Sequence, residues 1–319
     1  IDIAGLLSNW SRKLESLIDN LSEKLMSRKS AIKIEDIEHL YQLTGHWLAR
    51  AERMQVLWHH FGSEKTNRSI PWALWISNIK SSVNSLDVSL NAYPICSSEV
   101  LSDRFWGKAY GVIMTSATLR TLGNFAILQR DTGVPLEASY KKFSDAFDYP
   151  TAALLRVPIN AVEGNDVSSH TLYLIDNLET MIDDCNGTLV LFSSLSQMLQ
   201  VFDGISIALR QDVLLQRQYS IAEMQRLHKK SVDDGNRSVL FGLATLAEGI
   251  DLPGDYCRHV IIVKLPFPVP NDPQHEALCE WVETQGGNAF TDVSLPLASL
   301  RLIQSCGRLL RHDTDDGII

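Results

Sequence analysis

Hydrophobic residues near the start of the chain recur at steps of three and four, the spacing that places them on one face of a helix. They are Leu14, Leu17, Ile18, Leu21 and Leu25, with Lys, Arg, Glu and Ser between them. A second helical stretch runs from Ile34 through Trp47 to Trp58 and ends near Gly62, and the polar run 63–68 indicates a loop. Two antiparallel helices are the simplest arrangement that this pattern predicts.

After Pro71 the pattern changes to short β-like segments over 72–76 and 88–95, followed by the apolar run 111–114, which we expect to be a strand. From about Ser139, apolar runs alternate with helical stretches. The runs 189–192, 238–241 and 259–263 are almost continuous in Val, Ile, Leu and Phe. Such strands are typical of a parallel sheet covered on both faces, so we expect an α/β fold. A further strand is expected to begin within the last residues, 313–319.

Composition narrows the class of protein. With 45% hydrophobic and 21% charged residues among 319, the chain is expected to be globular. No apolar run approaches the roughly 18 residues that a bilayer span needs, and no signal sequence opens the chain, so we expect a cytoplasmic protein without membrane contact. Since no Met opens it, we expect the natural start to be missing. A net charge of −9 leaves room for a local basic track that binds nucleic acid.

The five cysteines, at positions 96, 185, 257, 279 and 306, never form a CxxC pair, so we expect no metal or cluster site among them. We expect buried or surface thiols instead.

The strongest motif is QSCGRLLR, from Gln304 to Arg311. Arg308 and Arg311 are three residues apart, so a helix would present both on one face. Guanidinium groups stay charged and bind phosphate oxygens in a bidentate manner, and such a group supplied across a cleft can accelerate phosphoryl transfer by about 10³ to 10⁵. The alternative is a surface arginine pair bonded to carboxylates.

Upstream, the run 241–254 reads FGLATLAEGIDLPG, a strand that leaves its sheet into a turn at the carboxyl edge, where ligands of such folds bind. Gly249 would let backbone approach a nucleotide or a neighbouring domain. Asp251 could accept a hydrogen bond from a ribose hydroxyl or orient one of the arginines. The alternative is a tight turn capped by Asp251. The segment KLPFP, which begins at Lys264, follows one strand later.

Two groups of hydroxyl residues follow apolar runs. TSATL begins at Thr115 and includes Ser116 and Thr118, while Ser193 and Ser194 end LVLFSS. Thr115, Ser116 and Thr118 could relay hydrogen bonds between a nucleotide site and a nucleic-acid site, or simply cap a helix, which is the favoured interpretation of that segment alone. Ser193 and Ser194 could hold a backbone phosphate at a helix N-terminus or cap that helix.

Taken in order, TSATL, LVLFSS, LATLAEGIDLPG with KLPFP, and QSCGRLLR resemble the later motifs of superfamily 2 helicases, in the XPD-like branch and, within it, the bacterial DinG family. The similarity covers roughly residues 71–319. It implies RecA-like motor domains that move 5′ to 3′ along single-stranded DNA as ATP is hydrolysed between them. The expected domains are a helical Arch-like segment (1–68), part of the first motor domain (69–137) and the second motor domain (138–319).

The resemblance also implies site residues. Gln304, Arg308 and Arg311 would act on the ATP phosphates, with Glu248, Gly249, Asp251 and Gly307 as further ATP-site residues. Ser193, Ser194 and Thr245 would lie near the DNA backbone, and Thr115, Ser116 and Thr118 would couple the two sites. The expected partners are ATP and single-stranded or forked DNA, bound by a monomer.

The chain departs from the family pattern in what it lacks. It contains no GxxxxGK[ST] phosphate loop and no DEAH-type acidic pair, so Mg²⁺ ligands and any iron–sulfur cluster are expected only in a missing N-terminal half. The family's closing strand after the arginine motif is also expected to lie beyond Ile319. We therefore expect an ATP-dependent DNA helicase that is inactive as this isolated fragment. The alternative function is a non-hydrolysing remnant that binds DNA or protein. A fused nuclease could reside only in missing sequence, because no cluster of carboxylates for two metals is present.

Overall fold

The computed structural model describes residues 3–27, 34–62, 71–80, 86–143, 147–182 and 186–319. The α-helices are α1 Ile3–Ser27, α2 Ile34–Gly62, α3 Ser98–Leu101, α4 Ala126–Thr132, α5 Tyr149–Ala152, α6 Val167–Met181, α7 Leu195–Gly204, α8 Ile207–Asp212, α9 Ile221–Asp233, α10 Ala244–Gly249, α11 Pro273–Thr284 and α12 Leu295–Cys306. The strands are β1 Trp72–Lys80, β2 Leu86–Pro94, β3 Ala153–Leu154, β4 Gly187–Phe192, β5 Val213–Leu215, β6 Ser238–Leu243, β7 His259–Ile262 and β8 Gly317–Ile318. Two π-helical turns, Ser102–Trp106 and Phe290–Ser294, and the 3-10 helix Gly254–Cys257 complete these elements. Among the helices described, none combines the length and apolar character that a bilayer crossing requires.

The chain divides into two compact units, of which the first comprises Ile1–Gly107, Asp131–Gly133 and Val269–Ala289. The predicted helices α1 and α2 form and pack against each other, and Ile18 and Ala51 are buried. Leu17, expected on the same apolar face, is 60% exposed. The two predicted β-like segments are confirmed as β1 and β2, which pair antiparallel from Trp72 opposite Pro94. The predicted loop over 63–68 lies outside the described residues.

The second unit comprises Lys108–Arg130, Val134–Pro268 and Phe290–Ile319. Here one prediction is wrong: residues 111–114 are not a strand but irregular chain, with Ile113 95% exposed. An apolar run becomes a strand only when neighbouring backbone pairs with it, and no described strand does so. Hydrophobic composition alone therefore did not determine the structure of this segment.

A sheet of six described strands forms the centre of the second unit, in the order β3-β8-β7-β4-β6-β5. All its pairings are parallel, so the predicted α/β fold is confirmed. The three apolar runs became β4, β6 and β7, and β4 is buried at every position. The strand expected to begin near the C-terminus is β8, in which Ile318 aligns with His259 of β7.

Two hydrophobic cores lie on opposite faces of this sheet because successive side chains of a strand point to opposite sides. Val190 and Phe192 of β4 belong to one core, together with residues of α6, α7 and α8. Leu189 and Leu191 belong to the other core, together with residues of α9 and α10 and with Leu309 and Leu310. The predicted covering of both faces is thus present, and the segment that follows α12 packs on the second face.

The connection between β6 and β7 determines where the motif residues lie. β6 ends at Leu243, and β7, which runs parallel to it in the same sheet, begins at His259. The chain must therefore return from the carboxyl edge to the amino edge of the sheet. It does so through α10, the segment 250–253 and the 3-10 helix, and Leu246, Ile250 and Leu252 are buried on the second face.

Candidate functional site

The arginine motif begins in α12 but does not remain helical. α12 ends at Cys306, and the backbone then tightens, since Arg308 N donates to Ser305 O at 3.2 Å and Leu309 N to Cys306 O at 3.0 Å. The prediction that Arg308 and Arg311 share a helix face is therefore wrong. Burial of Leu309 and Leu310, 1% and 6% exposed, draws the chain onto the sheet, and this is incompatible with a continued helix.

The two guanidinium groups nevertheless converge on one acceptor. Nη1 of Arg308 donates to the carbonyl oxygen of Ile250 at 3.1 Å, and Nη2 of Arg311 donates to the same oxygen at 3.4 Å. Nε of Arg308 donates to the backbone carbonyl of Gln304 at 3.2 Å. The structure thus brings the end of QSCGRLLR against AEGIDLPG, which lies about 60 residues earlier in the chain.

Asp251 lies beside Arg311. Its Oδ1 is 3.4 Å from Nε of Arg311, and the Asp251 side chain is 70% exposed whereas that of Arg311 is 30% exposed. The ion pair that the sequence allowed for Asp251 is therefore present. Nε of Arg311 is itself buried and has no hydrogen-bond partner among the described residues. Because Nε is enclosed, an anionic ligand such as a phosphate group could reach only the other N–H groups of this guanidinium.

This cluster does not lie at the carboxyl edge of the sheet, where the sequence placed AEGIDLPG. Ile250 and Asp251 belong to the returning segment on the second face, and Cys257, two residues before β7, lies close enough to both arginines to interact with their charge. The parallel order of β6 and β7 requires this return, as described above. Gly249 is exposed, and a Cβ built on it would meet Ile221 Cδ1 at an ordinary 3.5 Å, so nothing nearby in the described chain requires a glycine there.

Cys257 is fully buried under the arginines, and burial raises the pKa of its thiol to about 12, although Arg311 and Arg308 act in the opposite direction. It is therefore a neutral thiol at physiological pH. Among the described residues, no group of three or more His, Cys, Asp or Glu is arranged to hold a metal ion.

Asp315 is a residue that the sequence analysis missed. It is 8% exposed, and its Oδ2 accepts hydrogen bonds from the backbone N–H groups of Arg311 at 2.7 Å and His312 at 2.8 Å. The backbone N–H of Gly254 also lies beside this carboxylate and helps to lower its pKa. The only sequence signal was an Asp shortly after the arginines, which nothing distinguished from Asp313 and Asp316.

The serine pair after β4 does lie at the carboxyl edge. Ser194 is the N-cap of α7, and its side chain accepts a hydrogen bond from Gln197 N at 3.4 Å. Ser193 is exposed beside it. The predicted cap is confirmed, while phosphate binding at this N-terminus stays a prediction. Thr245 and Glu248 lie in α10, but their side chains are outside the described part of the structure.

The segment that contains the hydroxyl residues Thr115, Ser116 and Thr118 ends in a local turn. Ser116 Oγ accepts a hydrogen bond from Thr118 N and lies 3.2 Å from Thr118 Oγ1. No described helix begins there, so the helix-cap interpretation is wrong. The Ser116 and Thr118 hydroxyls instead lie within hydrogen-bonding distance of each other in a turn.

Comparison with known proteins identifies relatives of this chain. Residues 178–319 match the family model described as the helicase C-terminal domain. The chain is 33% identical over 312 residues to ATP-dependent DNA helicase DinG of Photobacterium profundum, covering 96% of this chain and 44% of that protein. It is 30% identical over 317 residues to the Escherichia coli protein of the same name, covering 98% and 44%. The solved structure of S. tokodaii Xpd4 is similar over 99% of this chain and 69% of that one, with 14% identity and a TM-score of 0.49. The chain thus spans less than half the length of the curated relatives it matches.

Proposed function

We propose that this chain, whose residues 178–319 match the helicase C-terminal domain, supplies the arginine side of an ATP site in an ATP-dependent DNA helicase of the DinG-like family. The observation that carries the proposal is the convergence of Arg308 and Arg311 on Ile250 O beside Asp251. Two guanidinium groups of fixed geometry on one patch bind a triphosphate, which has several charged oxygens, better than they bind a single carboxylate.

In the proposed reaction, ATP binds between this domain and a motor domain that holds its phosphates and Mg²⁺. The guanidinium groups of Arg308 and Arg311 then donate to oxygens of the transferred phosphoryl group and neutralise the charge that develops there. Gln304 and Gly307, at the end of α12, shape the approach to them. Glu248, Gly249 and Asp251 line the same site, where Asp251 keeps Arg311 oriented until the nucleotide arrives.

The DNA would lie at a separate place. Ser193, Ser194 and the N-terminus of α7 offer hydroxyl and backbone N–H donors to a phosphate of single-stranded DNA, and Thr245 follows the neighbouring strand β6. Thr115, Ser116 and Thr118 belong to the coupling between the two sites. Hydrolysis then drives 5′-to-3′ movement on single-stranded or forked DNA, with residues 1–68, 69–137 and 138–319 as Arch-like segment, first-motor part and second motor. The chain acts as a monomer.

The test uses the full-length protein that contains this chain. Arg308→Ala and Arg311→Ala should each lower DNA-stimulated turnover of ATP by at least about a hundredfold while KM for ATP changes less. The matched control is Arg226→Ala, because Arg226 pairs with Glu223 on the exposed side of α9 and should leave turnover unchanged. Near-normal turnover in both arginine variants would remove the proposed role. A protein without any DNA-stimulated hydrolysis would instead be the non-hydrolysing remnant.

DNA binding can be tested independently. Affinity for single-stranded DNA should fall steeply as salt concentration rises, because phosphate contacts release counterions. Ser193→Ala should weaken binding by about two- to fivefold, the usual cost of one lost hydrogen bond, without lowering Tm. Salt-independent binding would contradict the proposed phosphate contacts.

A further inference from the structure

Asp315 closes the turn that carries the second arginine. Its carboxylate accepts from the N–H groups of Arg311 and His312, and its own N–H donates to His312 O at 3.0 Å. The five-residue segment from Arg311 to Asp315 is therefore held by hydrogen bonds that involve both the side chain and the backbone of Asp315. This fixes the direction in which the Arg311 side chain leaves the backbone.

The same carboxylate reaches a second segment. Gly254, which ends the IDLPG run, adopts a φ of +61°, a conformation that glycine tolerates best. It lies beside the Asp315 carboxylate: a Cβ built on it would be 4.0 Å from Asp315 Oδ1, and its backbone N–H helps to lower the pKa of that carboxylate. Ile250, whose carbonyl oxygen receives both guanidinium groups, lies four residues earlier. Asp315 thus joins the segment that carries Arg311 to the segment that carries its acceptor.

Burying an ionised carboxylate is costly unless its oxygens are satisfied by donors. Burial raises the pKa of Asp315, but the backbone N–H groups of His312, Arg311 and Gly254 outweigh it and hold that pKa below its usual range. The side chain is therefore ionised at neutral pH, and the backbone donors of Arg311 and His312 are committed to it. Asp316, the next residue, is different, because it is exposed and pairs with Arg258.

We propose that Asp315 is a positioning residue for ATP hydrolysis, which holds the Arg311 turn against the Ile250–Gly254 segment so that Arg311 faces the nucleotide. The inference rests on the proposed function, since it assigns to Asp315 an effect exerted through Arg311. Asp315 itself does not touch the phosphates.

The experiment is a double-mutant cycle in the full-length protein with Asp315→Ala, Arg311→Ala and the combination of the two. Asp315→Ala should lower kcat of DNA-stimulated ATP hydrolysis by at least about tenfold, with KM for ATP changed less than about threefold. Asp315→Asn keeps an acceptor oxygen for the backbone donors, so it should restore part of the loss. Asp316→Asn is the matched control and should change kcat by less than about twofold.

The double variant distinguishes a positioning role of Asp315 from a purely structural one. If Asp315 acts through Arg311, Asp315→Ala should lower kcat by less than about twofold further in the Arg311→Ala background. Losses that multiply, or unchanged kcat in Asp315→Ala, would overturn the inference. If Asp315→Ala does not fold, Asp315→Asn replaces it in the double-mutant cycle, and the same criterion applies. Failure of the proposed function is separate, because Arg311→Ala alone would then retain its turnover.

Discussion

Arg308 and Arg311 donate to the same carbonyl oxygen, that of Ile250, at 3.1 Å and 3.4 Å. One backbone acceptor thus holds two cations on one patch, although neither arginine lies in regular helix. A carbonyl oxygen is a weaker partner for a guanidinium than a charged phosphate oxygen. Both side chains therefore have a backbone acceptor in common that a phosphate oxygen could replace with a stronger contact.

Replacing either arginine by lysine tests whether the planar fork matters as well as the charge. Arg308→Lys and Arg311→Lys keep the cation but lose the paired N–H donors, so turnover of ATP should fall by at least about tenfold. Steady-state hydrolysis in the full-length protein measures this. Arg226→Lys, on the exposed side of α9, should leave turnover unchanged. Turnover within about twofold of the parent in both lysine variants would mean that charge alone suffices.

Asp251→Asn should separate activity from stability. The ion pair with Arg311 is long, at 3.4 Å, and the Asp251 side chain is 70% exposed, so its removal should change Tm by less than about 2 °C. Turnover should nevertheless fall by about three- to tenfold, because Arg311 loses the carboxylate that orients it. Thermal unfolding and ATP hydrolysis on the same preparations check both parts. A large drop in Tm with unchanged turnover per folded molecule would contradict the assignment.

We expect His228 to make the stability of the second unit depend on pH. It is fully buried, with Nε2 2.7 Å from Tyr256 O and Nδ1 2.8 Å from Ser238 Oγ. The carbonyl oxygen only accepts, so Nε2 carries the proton and Nδ1 accepts from the serine hydroxyl. Burial lowers the pKa of His228 below 6.5, although the hydrogen bond to Tyr256 opposes this.

The unfolded chain therefore takes up a proton near pH 6.5 that the folded chain does not. The contribution of neutral His228 to the free energy of unfolding should be at its full value above that pH. It should decrease as the pH falls below it. His170, whose pKa burial also lowers, contributes in the same direction. Urea unfolding between about pH 8 and about pH 5.5 should show a weaker dependence in His228→Leu than in the parent. An unchanged slope in the variant would exclude His228 as the source.

Gly187→Ala should be strongly destabilising. A Cβ at this position, the first of β4, would lie 2.5 Å from backbone atoms of Asp255 and Tyr256. That backbone cannot yield easily, because His228 holds Tyr256 O and Arg258 N donates to Gly187 O at 3.1 Å. We expect a loss of about 2 kcal/mol or more in urea unfolding. Gly45→Ala in α2, where nothing lies within 4 Å of the added Cβ, should instead stabilise by up to about 1 kcal/mol.

The central sheet could be predicted from sequence because its main strands are apolar runs, and a strand that is buried on both faces consists almost entirely of apolar residues. No position of β4 or β6 is exposed. Helix α7 begins after the two residues that follow β4, and helix α10 follows β6 directly. The run at residues 111–114 has the same composition but stays irregular, since pairing with other backbone is what makes a strand. The α1 and α2 helices were likewise visible in their periodicity, although the exposure of Leu17 was not.

The sequence by itself singled out Arg308, Arg311 and Asp251 as candidates for one site, because guanidinium chemistry and motif order are properties of the chain. Only the tertiary structure decided how they meet. Burial of Leu309 and Leu310 ends the helix before Arg308, and the return from β6 to the parallel β7 carries Ile250 and Asp251 across the sheet to the arginines. Asp315 could not be recognised in advance, since the three backbone N–H groups around it come together only when two segments about 60 residues apart pack on the same face.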